Sequence, residues 1–125
     1  MSTIEQDLVK TIDRIASDHC DRGARERAEQ GEWPDALWQA LTGVGLSGAT
    51  IPEEAGGAGL EFDDAMVALR RSAYHALPVP LAETYAAARL LVAAGLPVPE
   101  GALTLAPGGG SPPLELVRRD GALRL

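Results

Sequence analysis

Ile51-Pro52-Glu53-Glu54-Ala55-Gly56-Gly57-Ala58-Gly59-Leu60 is the stretch on which the reading of this chain turns. A proline, two acids and three glycines sit between two helical patterns, with Ile51 and Leu60 as apolar ends. The glycines suit tight turns and positive φ angles, and the apolar ends can be pinned into a core. The composition is that of an ordered loop inside a helical domain, not of a linker.

Helical patterns lie on both sides of this loop. At the N-terminus, Ser2-x-x-Glu5 and Thr3-x-x-Gln6 are capping-box spacings. Ile4, Leu8, Ile12, Ile15, Ala16 and Cys20 follow at three- and four-residue steps and predict one apolar stripe. Residues 21–30 are polar nearly all round, with Arg25 and Glu29 at helical pair spacing, and predict an exposed helix end or a second short helix weakened at Gly23. Pro34 suits the first turn of a helix, where its missing N–H costs nothing. Leu37, Trp38 and Leu41 form the buried side of that helix, and Gly43 and Gly45 close it.

Downstream of the loop a longer helix is predicted from Phe62 to Tyr74. Phe62, Met66, Leu69 and Ala73 mark its core face, and Asp63 and Asp64 complement the dipole at its start. Pro78-Val79-Pro80 breaks it. The next helix carries Leu81, Tyr85, Ala88 and Val92 on one face and ends at Gly95, with Pro97 and Pro99 beyond. Ala102-Leu103-Thr104-Leu105-Ala106 then reads as a short strand and Pro107 to Pro113 as a Gly/Pro loop. Leu114-Glu115-Leu116-Val117 and Leu123-Arg124-Leu125 flank Asp120-Gly121 as a hairpin. The expected fold is mainly α over residues 1–100, followed over 101–125 by the first strands of an incomplete β domain.

The loop, together with Trp33-Pro34-Asp35-Ala36-Leu37-Trp38 and Gly45-Leu46, resembles the N-terminal helical domain of the acyl-CoA dehydrogenase family. Leu77-Pro78-Val79-Pro80-Leu81-Ala82-Glu83-Thr84, followed by Ala86-Ala87-Ala88-Arg89-Leu90-Leu91 and Gly95, looks like a segment of a bacterial subset of that family. Some members of this subset act as paired unlike subunits, often on steroid side chains or other bulky acyl groups. The resemblance implies a helical bundle, then a middle β domain and a C-terminal helical domain. It implies α,β-dehydrogenation of an acyl-CoA thioester, in which a carboxylate takes the α proton and FAD accepts hydride from the β carbon. The base and most flavin contacts belong to regions that do not match this sequence, so no catalytic or cofactor-binding residue carries over. FAD is implied in the complete enzyme and is not expected to bind tightly to this chain alone. The matching helix-helix corner makes Val79, Leu81, Ala82, Glu83 and Tyr85 the candidate acyl-pocket positions. By the same resemblance the chain is expected to be a truncated N-terminal part of a flavoenzyme of lipid metabolism, homo- or hetero-oligomeric. The alternatives are a non-catalytic helical partner subunit and the N-domain of a related flavin oxidase or monooxygenase.

Composition narrows the choice. With 125 residues the chain is of single-domain size, and with few aromatics its core is modest. The net charge of −7, from 18 acids against 11 bases, argues against nucleic acid or an anionic membrane as partner. No apolar run is long enough for membrane insertion, and the first residues lack the basic and apolar regions of a secretory signal. A lone Cys20 excludes an internal disulfide and fits the cytoplasm.

Other motifs favour plain structural readings. Gly43-Val44-Gly45-Leu46-Ser47-Gly48 spells G-x-G-x-x-G, but a dinucleotide site needs a strand before it, and here a helix precedes. Gly56 to Gly59 suits an anion-binding nest in principle, but no Gly-Lys-Ser/Thr follows, and a structural turn is the better reading. Asp18, His19, Cys20 and Asp21, with distant His75, carry ligand atoms, yet consecutive helical residues diverge and cannot converge on a metal. The same geometry defeats a Cys20-His19 nucleophilic pair. Glu53 and Glu54 read as solvated turn acids, and Trp33 and Trp38 as core or interface anchors.

Overall fold

The computed structural model describes residues 2–108 and 115–124. Five helices and one short hairpin are present among them: α1 (Thr3–His19), α2 (Arg22–Glu29), α3 (Asp35–Gly43), α4 (Phe62–Tyr74), α5 (Leu81–Ala93), β1 (Val117–Arg119) and β2 (Ala122–Arg124). The fold is mainly α, as the periodicity predicts.

The N-terminal capping box forms. The Ser2 hydroxyl accepts from the Glu5 amide at 3.2 Å and the Glu5 carboxylate accepts from the Ser2 amide at 3.1 Å. Ile12, Ile15 and Ala16 of α1 and Cys20 at its C-cap are buried, whereas Ile4, in the first turn, stays 54% exposed. Asp21 caps α2 through the Ala24 amide at 2.7 Å. Arg22 and Glu26 pair on α2, while Arg25 turns away from Glu29 and donates instead to the His75 carbonyl at 2.9 Å. Pro34 stands immediately before α3 as its N-cap residue, not inside it.

The core gathers Ile12 and Ile15 from α1, Leu37, Trp38 and Leu41 from α3, Ala65 and Ala68 from α4, and Leu81 and Tyr85 from α5, with Leu46 and Ala49 from the intervening loop. The expected core face of α4 requires correction. Ala65, Ala68 and Ser72 are its buried residues, Met66 and Leu69 are only partly covered, and Phe62 is 59% exposed. α4 packs chiefly on α1. Small side chains at three- and four-residue steps let two helices approach closely, so the small stripe is buried and the bulky one pushed to its flanks.

The glycine-rich loop is the compact turn its composition predicts. Glu53–Ala55 form a 3-10 turn closed by Gly56 at φ 91°. At Gly57 the approach of the backbone is closest, since a Cβ there would lie 2.1 Å from the Ile51 carbonyl oxygen.

Ala102 to Ala106 do not form the expected strand. The Leu103 amide donates to the Thr84 hydroxyl at 3.1 Å, so this backbone is fastened to a helix instead of a ladder. The hairpin does form, with Val117 opposite Arg124 and Arg119 opposite Ala122. Asp120 and Gly121 have φ of 49° and 77°, the two positive angles of a type I′ turn. Leu114 and Leu125 of the expected strands lie outside the described residues, as does most of the Gly/Pro loop.

Candidate functional site: the corner between α4 and α5

The segment holding the candidate pocket positions is a tight corner built from local hydrogen bonds. α4 ends with Ala76 in the left-handed region at φ 48°, while the Leu77 amide reaches back to the Ser72 carbonyl at 3.1 Å. This is the pattern of a helix C-terminus normally closed by glycine, and alanine there costs roughly 1 kcal/mol. Two narrow turns follow. The Val79 amide donates to the Leu77 carbonyl at 2.8 Å around Pro78, and the Leu81 amide to the Val79 carbonyl at 2.9 Å around Pro80. Pro80, at φ −83° and ψ 59°, has the angles of an inverse γ-turn. The prolines set these φ values in advance, which explains why a Pro-x-Pro step can reverse the chain so sharply.

The corner separates the candidate positions. Leu81 and Tyr85, one helical turn apart, both point into the core at 3% exposure. Val79 is half-buried against the same core. Ala82 and Glu83 face outward. The Tyr85 hydroxyl donates to the Leu46 carbonyl at 2.7 Å, and the Tyr85 carbonyl accepts from the Thr50 hydroxyl at 3.3 Å. α5 is thereby tied to both ends of the turn that follows α3. Burial pushes the Tyr85 phenol well above its ordinary range.

Residues after α5 return to its first turn. Thr84 donates to the Pro80 carbonyl at 2.7 Å and accepts from Leu103, and Glu83 accepts from the Thr104 hydroxyl at 2.5 Å. Between this returning segment and α3 lies a cleft of about 500 Å³, lined among others by Trp38, Gln39, Thr42, Thr84, Ala88 and Leu103. None of Val79, Leu81, Ala82, Glu83 and Tyr85 lines it.

One polar cluster escapes the sequence reading altogether. Asp13 on α1 meets Arg71 on α4 and His75, the residue that follows α4. Arg71 Nε and Nη2 donate to the two Asp13 oxygens at 2.5 and 2.8 Å, and His75 Nε2 lies 2.7 Å from Asp13 Oδ1. The Arg71 guanidinium first, and His75 after it, hold the Asp13 carboxyl at about 2, below its ordinary 3.8. The arrangement has no nucleophile. The hydroxyl of Ser72, the nearest candidate in sequence, is spent on the Ala68 carbonyl at 2.8 Å. This is an ion cluster that joins helices, not a catalytic triad.

The glycine-rich loop offers no ready cradle for FAD. A pyrophosphate cradle needs free backbone amides, and those of the glycine loop are used internally. Gly56 donates to Glu53, Gly57 to Pro52, Ala58 to Gly48 and Gly59 to Ile51, all at 2.9 to 3.1 Å. Gly45 and Leu46 likewise close α3 by bonding Thr42 and Leu41. Among the described residues no cluster of His, Cys, Asp and Glu is placed to hold a metal, and no helix is long and apolar enough to cross a membrane. Cys20 is buried and His19 exposed.

Comparison with known proteins decides the family. The acyl-CoA dehydrogenase N-terminal domain matches residues 2–97. The chain belongs to the acyl-CoA dehydrogenase family. Acyl-CoA dehydrogenase IpdE2 of Mycobacterium tuberculosis is 32% identical over 106 residues, which is 82% of this chain and 33% of that protein. The chain thus spans about a third of the length of this acyl-CoA dehydrogenase relative. No solved structure matches.

Proposed function

We propose that this chain is the N-terminal helical part of an FAD-dependent acyl-CoA dehydrogenase, oxidising the α,β bond of an acyl-CoA thioester in cytoplasmic lipid metabolism. The observation that carries this reading is the family match across all five helices. In this reading residues 101–125 open the middle β domain, and the hairpin of β1 and β2 is its beginning. FAD, where bound, supplies the hydride acceptor, and it is held by parts of the enzyme other than these helices.

The role proposed for the corner is to wall the acyl pocket. Ala82 and Glu83 present its outer surface, and Val79 forms its edge. Leu81 and Tyr85 act from behind, anchoring α5 in the core so that the outward residues keep their place. The small Ala82 leaves room beside it for an acyl chain, while Glu83 is held by Thr104.

The test uses the native protein that carries this chain, purified from its own source. One flavin per chain, bleaching when a CoA thioester is added and an enoyl-CoA product would support the reading. A colourless protein inert toward CoA thioesters, yet bound to a flavin-containing partner, would replace it with a non-catalytic subunit. Peroxide or a hydroxylated product would replace it with a flavin oxidase or monooxygenase.

A further inference from the structure

The backbone that leaves α5 is hydrogen-bonded at two points and not between them. At the near point the Leu96 amide donates to the Leu91 carbonyl at 2.9 Å. At the far point the Leu103 amide donates to the Thr84 hydroxyl at 3.1 Å. Residues 97–102 make no backbone hydrogen bond to other described residues, and Pro97 and Pro99 have no N–H to offer. Gly101 turns the chain at φ 98°, a value that favours glycine. Of residues 96–106 only Val98 and Leu103 are half-buried, and both line the cleft of about 500 Å³ beside α3.

The far point is set by one buried hydroxyl. Thr84 is 3% exposed, so bulk water does not replace a partner lost there. A threonine hydroxyl has one proton and two lone pairs. The proton goes to the Pro80 carbonyl at 2.7 Å, nearer than the Leu103 carbonyl at 3.3 Å, which leaves a lone pair for the Leu103 amide. The neighbouring residue adds a second grip, since Glu83 accepts from the Thr104 hydroxyl at 2.5 Å. Adjacent helical residues point about 100° apart, so two grips on adjacent residues fix the direction of this backbone as well as its distance.

We propose that residues 97–102 are a strap drawn over the cleft beside α3 and latched by Thr84, and that the latch makes Thr84 a positioning residue for the acyl wall. The strap follows from the hydrogen bonds of this chain, while the positioning role rests on the dehydrogenase reading above. Thr84 holds Leu103, Leu103 carries Thr104, and Thr104 holds the Glu83 carboxylate. With the latch released, Thr104 leaves Glu83. The carboxylate is then free to turn across the small Ala82 toward the acyl space, where a charge opposes an apolar chain.

Amide exchange, read residue by residue in the 125-residue chain, tests the latch. Thr84→Val nearly keeps the shape and removes the hydroxyl. Exchange of the Leu103 amide should rise about tenfold, while the amides of Leu96 and Ala88 stay as protected as in the parent chain. Thr84→Ser should restore protection at Leu103. A Leu103 amide that exchanges freely in the parent chain, or one that valine leaves unchanged, would overturn the strap. So would equal acceleration at Leu103, Leu96 and Ala88, because valine would then have loosened the whole fold. Kinetics of the native protein that carries this chain test the positioning role. Thr84→Val and Thr104→Val should each raise KM for an acyl-CoA about fivefold with kcat nearly unchanged, and Thr84→Ser should not. Unchanged KM in a protein that oxidises acyl-CoA would overturn the positioning role and leave the strap standing. A protein inert toward every acyl-CoA would reject the dehydrogenase reading and the positioning role with it, and the exchange result would still decide the strap.

Discussion

Arg71 grips Asp13 through two parallel hydrogen bonds across 58 residues of sequence, and this pair is a polar tie between α4 and α1. Bidentate guanidinium–carboxylate geometry fixes both direction and distance, which a single point charge does not. The same carboxylate takes His75, and the carbonyl of His75 takes Arg25. Three helices therefore meet at one end of α4.

Asp13→Asn should lower stability at neutral pH by about 1 kcal/mol, since the pair is roughly a third exposed and solvent screens it. The pH dependence follows from the depressed carboxyl. With Asp13 at about 2 in the fold and 3.8 ordinarily, the stability it confers is complete above the ordinary value and is lost as pH falls through the lower one. Thermal melts of both proteins should differ at pH 7 and converge in strong acid. A gap that stays constant down to the acid end would show that the asparagine disturbs packing and not charge.

This cluster also marks the limit of what the sequence discloses. Asp13 lies off the apolar stripe of its helix, and nothing local joins it to residues 58 and 62 places away. The helices themselves were legible, because capping, proline placement and periodicity are local. α4 and α5 span the predicted residues, and the hairpin turn sits at Asp120-Gly121. The core face of α4 was not legible, since bulk in a sequence does not say that α1 will approach over Ala65, Ala68 and Ser72. Nor was the fate of residues 102–106, whose alternation suggests a strand while Thr84 supplies the hydrogen bonds. The candidate pocket positions came from resemblance, and only the fold separates the inward Leu81 and Tyr85 from the outward Ala82 and Glu83.

The two tryptophans should differ sharply. Their rings lie 5.7 Å apart and tilted, but Trp38 is 5% exposed and Trp33 45%. Trp38→Ala empties a site between α3 and the core and should cost about 3 kcal/mol or more, as large core truncations do. Trp33→Ala should cost roughly 1 kcal/mol, the value of a partly covered aromatic contact. Urea midpoints of the two variants would check this, and equal losses would mean that Trp33 carries load the burial does not indicate.

Two glycines offer the opposite contrast. Gly57→Ala drives a Cβ into the Ile51 carbonyl and its Cβ, at 2.1 and 2.3 Å, both close to the backbone and unable to swing aside. The loop must open, at a cost of roughly 3 kcal/mol. Gly43→Ala sits at the last residue of α3 with no atom within 4 Å of the new methyl, and should stabilise by about 0.5 kcal/mol. Denaturation curves moving in opposite directions are expected.

Tyr85→Phe tests the tie between α5 and the turn after α3. Losing the hydroxyl leaves the Leu46 carbonyl without that donor, for a loss of about 1 to 2 kcal/mol. The alkaline limb supplies a second readout. Because burial raises the phenol above its ordinary 10.0, the wild type keeps full stability below that pH and loses it as pH rises beyond. Phenylalanine has no such group, so the variant should be less stable at pH 7 yet lose less on going above pH 10. Parallel alkaline limbs would show that Tyr85 does not control that transition.

The chain purified by itself should carry no tightly bound FAD. Flavin retention through gel filtration needs amides or cations aimed at the pyrophosphate, and the loop that looks best suited in sequence has turned its own amides inward: Gly56, Gly57 and Gly59 bond carbonyls within the turn and Ala58 bonds that of Gly48. Opening that loop to free them would also expose the close approach at Gly57, so binding would have to offset unfolding of the turn. Absorbance of the eluted protein after incubation with excess FAD is the measurement. A stoichiometric flavin band would mean that the cofactor is recognised by a surface other than the glycine loop, and mapping that surface by amide exchange would then locate it.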